Sequence, residues 1–208
     1  MSHIHLHGKT VARLLTAAVL AYSPAMPAVA AETYKLDPLH TAVVWHVSHL
    51  GFSTPSGKFM NIDGTLVLDR PNLAASKVKL TIPITMMDTG VPEMDEHLKS
   101  KDFFDAANYP TATFISNTVE VTGKDTVIVH GTLTMHGVSK PEDLDVRINK
   151  VGENGHKEPT AGFSATTTIK RSDFGITYYV PILPDEIRLE IETEAIIPSA
   201  PTTTPPTK

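Results

Sequence analysis

From Asp185 to Ile196 apolar and charged residues alternate with almost no break. Ile187, Leu189, Ile191, Thr193 and Ala195 fall on one side, and Glu186, Arg188, Glu190, Glu192 and Glu194 on the other. Successive side chains of an extended strand point to opposite faces, so this segment buries one face and wets the other; a helix would scatter the charges around its circumference. The same period recurs over most of the chain. Thr41 to Leu50, Lys58 to Asp69, Lys77 to Met86, Thr111 to Val121, Thr126 to His136, Leu144 to Val151 and Ala161 to Lys170 all read as strands, among ten to twelve extended runs in all. Asp63-Gly64 reads as a bend inside its strand, and Pro83, which lacks an N–H, marks an edge or bulge. Between Pro92 and Phe104 the period changes, and acids crowd a first turn at Glu93, Asp95 and Glu96, which predicts one short helix. The expected class is all-β, an antiparallel sandwich or barrel.

The ends read differently. Lys9 and Arg13, the apolar run Leu14 to Tyr22 and the small residues Ala28-Val29-Ala30 have the form of an export signal cleaved after about Ala30. The run is shorter than the ~20 residues that span a bilayer. Residues 198–208 (PSAPTTTPPTK) read as a disordered Pro/Thr-rich tail, leaving 31–197 as one domain. A formal charge of −5 gives no basic face for nucleic acid. With no cysteine in its 208 residues, the chain folds without disulfides and has no thiolate chemistry. The mature protein is expected in the periplasm, as a monomer or homodimer, with transient membrane contact and no resident cofactor.

The inward set by parity is Val43, Trp45, Val47, Phe59, Val78, Leu80, Ile82, Ile84, Met86, Phe114, Val127, Val129, Leu133, Phe163, Ile169, Ile187, Leu189 and Ile191. Most are aliphatic and mid-sized. A barrel of about eight strands either fills with such side chains or leaves room for one ligand, and the pattern alone leaves both open.

His40, His46 and His49 lie close in sequence, but His46 is on the face opposite His49, so the three do not converge on one metal. Met60, Met86, Met87, Met94 and Met135 form no tight Met-x-x-Met cluster for a soft metal. A His/Met metal-binding protein of the periplasm is the alternative reading. No Gly-x-Ser-x-Gly elbow frames Ser48 and His49, and there is no phosphate loop, so no catalytic residue is assigned. Arg171 follows the inward residues Phe163, Ala165, Thr167 and Ile169 in parity, at the strand's end. Its planar fork suits a phosphate or carbonyl, or a carboxylate such as Asp173.

Five ordered blocks carry a resemblance. They are Asp37-Pro38-Leu39-His40-Thr41 with Val43, Trp45, Val47, His49 and Gly51; Asp88-Thr89-Gly90 with Glu96 to Ser100 and Asp102 to Asp105; Tyr109 to Phe114; Gly131 to Pro141; and Arg171 to Ile176. Together they resemble the YceI-like family of bacterial exported proteins, from about Tyr34 to Ile196. Thr41, Trp45 and Met87 stand where that family usually has Ser, Phe and Ile. The resemblance implies a lipocalin-like antiparallel β-barrel of about eight strands with one helical insertion. It also implies a long-chain apolar ligand, a polyisoprenoid or isoprenoid quinone, in an internal cavity. The expected apolar lining is Val43, Trp45, Val47, Phe59, Leu80, Ile82, Ile84, Met86, Phe114, Leu133, Phe163, Ile169 and Phe174. The expected polar end is His40, His49 and Arg171.

Overall fold

The computed structural model describes residues 30–198. The expected signal segment, except for its last residue, and the tail beyond residue 198 lie outside the described residues.

Among the described residues there are eleven strands and one short α-helix: β1 Glu32–Leu36, β2 Ala42–His46, β3 Ser56–Phe59, β4 Asp63–Leu68, β5 Lys77–Pro83, β6 Met87–Asp88, α1 Pro92–Lys99, β7 Thr111–Val121, β8 Thr126–Met135, β9 Val138–Glu153, β10 Pro159–Lys170 and β11 Glu186–Ile196. All pairings are antiparallel. Three successive pairs each behave as one bent strand. β1 and β2 both lie along β11, β3 joins β2 while β4 joins β1, and β6 joins β3 while β5 joins β4. Counted that way, eight strands close into a barrel, sealed where Lys35 and Leu36 meet Ile196 and Ala195. The expected antiparallel barrel with one short helical insertion is what the chain forms.

The bends have local causes. Asp37-Pro38 breaks the first strand, since Pro38 cannot donate to a ladder. The second breaks at Asn61, whose φ of 56° is left-handed, not at Asp63-Gly64 as the sequence predicts. Asn tolerates that region because its short amide satisfies the backbone locally. The third turns at Pro83, after which Ile84–Met86 form one 3-10 turn. That turn advances the side-chain direction out of the period of two. Met86, expected inward, is 43 % exposed, and Met87 takes its place in the core at 3 %.

Two further boundaries shift. α1 stops at Lys99 instead of reaching Phe104, and a series of turns then buries Phe103 and Ala106. β9 runs 16 residues, well beyond Leu144 to Val151. Pro141 does not interrupt it, because β10 pairs with β9 only from Asp145 onward and leaves that edge of the strand free.

Candidate functional site

The strands have two ends. At one lie the β8–β9 turn at His136-Gly137, the α1 insertion and the 171–185 connection; at the other lie the connections 69–76, 122–125 and 154–158. We call them the α1 end and the Leu73 end.

At the α1 end large side chains fill the interior. Phe59, Met87, Phe103, Phe114, Met135 and Phe174 are all buried, Phe174 at 0 % exposure. Rings pack edge-on, with Phe59 and Phe104 centroids 5.6 Å apart and Phe103 5.4 Å from Tyr178. Trp45 packs against Gly57, where any Cβ would clash with the indole. Its Nε1 is the one buried side-chain nitrogen or oxygen without a partner among the described residues.

Toward the Leu73 end the same strands turn smaller residues inward. They enclose an apolar cavity of about 100 Å³. Leu66, Leu68, Val119, Leu144, Val146 and Phe163 are among its walls, and Leu73, on the single turn between β4 and β5, covers its end. Ser76 and Lys77 lie at the rim. Close by, the buried Tyr34 donates its hydroxyl to Glu32 at 2.9 Å, and burial pushes its phenol up to about 12. An apolar pocket lacking hydrogen-bonding walls holds hydrocarbon in preference to water. A larger recess of about 600 Å³ crosses the outside of β8–β11, but charged and hydroxyl side chains such as Asp145, Arg147, Thr166 and Glu190 line it. An oily chain gains little there.

The expected lining residues divide between the two ends. Leu80 and Phe163 line the cavity. Val43, Phe59, Ile84, Phe114, Leu133, Ile169 and Phe174 are buried in the packed interior. Trp45, Val47 and Ile82 are half-buried, and Met86 faces out. Val78, Val127, Val129 and Ile191, inward by parity, also reach the cavity. Leu36, Leu66, Leu68, Leu144, Val146 and Ile148 were missed, although their alternation along β1, β4 and β9 carries the signal.

The three expected polar-end residues do not come together. His40 sits on the outer wall at the β1–β2 bend, its Nδ1 2.6 Å from Asp37. That bond raises the imidazole pKa and lowers that of the carboxylate. His49 is exposed in the β2–β3 connection. Arg171 is 7 % exposed, and backbone carbonyls occupy its guanidinium: Pro184 at 3.1 Å, Ile176 at 3.2 Å, Tyr178 at 2.6 Å and Leu183 at 3.4 Å. It pins the 171–185 connection; Asp173 is not its partner. Burial lowers its pKa, which Asp185 partly offsets. No group of three or more potential metal ligands occurs among the described residues.

Residues 34–195 match the model of the YceI-like domain. The chain belongs to the YceI-like family. Protein YceI of Escherichia coli O17:K52:H18 is 41 % identical over 184 residues, covering 88 % of this chain and 95 % of that one. A solved YceI protein of Campylobacter jejuni superposes with a TM-score of 0.66 at 35 % identity, covering 73 % of this chain and 90 % of its own. A polyisoprenoid binding domain from Saccharophagus degradans shares the fold at 16 % identity and a TM-score of 0.64, over 79 % and 98 % of the two chains. The YceI-like barrel is therefore the frame in which the cavity has to be read.

Proposed function

We propose that this YceI-like protein is an exported carrier in the periplasm that sleeves a long apolar lipid, a polyisoprenoid or isoprenoid quinone, inside its barrel. The observation that carries the reading is the almost wholly apolar cavity in one half of the barrel interior, beside a half filled by large side chains. The Saccharophagus neighbour, described as a polyisoprenoid binding domain, supports the ligand class. The export-signal pattern before Ala31 supports the compartment. Each methylene moved from water into the cavity contributes about 0.8 kcal/mol gross, before ordering costs.

The test is twofold. Gently purified protein from its native source is extracted with organic solvent and the extract examined by mass spectrometry for prenyl lipids. In parallel, Ala165→Phe puts a ring into the cavity wall. The wild type is expected to retain a prenyl lipid and the variant to lose it while staying folded. A folded wild type that yields none, or a variant that retains as much, sinks the reading.

A further inference from the structure

We infer that Phe114, seated on Gly131, is the gauge that sets how long an apolar chain this barrel accepts. The inference rests on the lipid-binding reading and adds the residue that decides ligand size.

Strand β8 crosses the boundary between the two halves. Val127 and Val129 line the cavity, whereas Leu133 and Met135, further along the same face, are buried in the packed half. Gly131 stands between them on that face, without a side chain. The ring of Phe114 occupies the space: a Cβ added at Gly131 would fall within the ring atoms. The flanking strands place the boundary at the same level. Leu80, opposite Phe114 on β5, lines the cavity, while the next inward pair, Ile82 and Ala112, belongs to the packed side, Ala112 being 2 % exposed. A chain that enters past Leu73 and runs along the barrel axis therefore reaches the Phe114 ring just beyond Leu80 and Val129.

Size makes this one ring decisive. A cavity of roughly 150 Å³ accepts a benzene molecule. The cavity below Phe114 holds about 100 Å³. Removing the phenyl group opens new space next to it, less whatever the neighbouring side chains refill. Leu80, beside it at this level, itself lines the cavity and packs on Gly64; Phe114 is the ring just beyond that lining.

The experiment measures binding of geraniol, farnesol and geranylgeraniol, prenyl alcohols of increasing length, to the folded protein by competition against a fluorescent fatty acid. For the wild type, affinity is expected to rise with length and then level off. For Phe114→Ala it is expected to keep rising, with geranylgeraniol bound at least tenfold tighter than by the wild type. Phe114→Leu, which keeps most of the core volume, should move the same way by a smaller factor if the alanine variant fails to fold. Identical length dependence in wild type and folded variants overturns the gauge and leaves the carrier reading standing. Failure of the wild type to bind any of the three alcohols removes the carrier reading and the gauge together.

Discussion

Between the α1 end and the Leu73 end the barrel keeps the same strands, the same alternation and the same closed ladder, and differs in the size of what points inward. Phenylalanine and methionine converge at the α1 end, where Phe59, Phe103, Phe114, Met135 and Phe174 interlock. At the Leu73 end the inward residues are mostly Leu, Val, Ile and Ala, with Phe163 and Tyr34 as the large exceptions, and eight strands hold them too far apart to meet across the axis. Secondary structure thus says nothing about hollowness; side-chain volume against a fixed circumference decides it. One end fills its interior with large side chains, and the other leaves space inside the same barrel.

The largest expected effect breaks or confirms that division. Phe174→Ala should cost about 3–5 kcal/mol, because a fully enclosed ring leaves a hole that close-packed neighbours cannot refill. Leu66→Ala, in the cavity wall, should cost only about 1–2 kcal/mol, since that side chain already borders empty space and has fewer contacts to lose. Denaturant unfolding of both variants makes the measurement. Equal losses would mean that the two halves are packed alike.

Much of this was legible in the chain. Strict alternation along β8 and β11 identifies the inward face correctly, because an unbroken ladder has no means of changing parity. It loses the face where the ladder stops: one 3-10 turn after Pro83 exchanges Met86 for Met87. The position of the cavity along the axis was not legible at all. Parity says which way Leu80 and Leu133 point, but not that one meets a void and the other meets Phe114. Arg171 shows a different limit. Its inward parity and buried position were readable, but its partners are carbonyls of a later connection, and carbonyls leave no trace in side-chain chemistry.

An intermediate effect sharpens the contrast at the α1 end. Arg171→Met keeps the volume but strips the donors from carbonyls that close the 171–185 connection. Leaving buried acceptors unpaired should cost about 2–3 kcal/mol. Hydrogen exchange should rise first in that connection, whereas retention of lipid at the far end should hardly change. If Arg171→Met abolished lipid retention in a protein that remained folded, the two ends would be coupled and the separation drawn above would fail.

The smallest effect lies at the boundary itself. Glu142 stands directly opposite Gly131 and shares its inward face. Burial, with Asp173 and Asp143 adding repulsion, raises its pKa above the ordinary carboxylate value. A carboxyl whose folded pKa is raised carries no penalty when both folded and unfolded forms are protonated. The penalty grows as pH climbs past the unfolded value and is complete above the folded one. Glu142→Gln should therefore leave the melting temperature unchanged near pH 4 and raise it modestly at pH 7 to 8. The partial exposure of the side chain keeps the gain small. Because the substitution sits level with the Phe114 ring and not in the packed half, it should raise stability without altering which prenyl alcohols bind. A gain as large at pH 4 as at pH 8 would show that ionisation of Glu142 is not its cause, and that the boundary layer tolerates charge as readily as the outer wall.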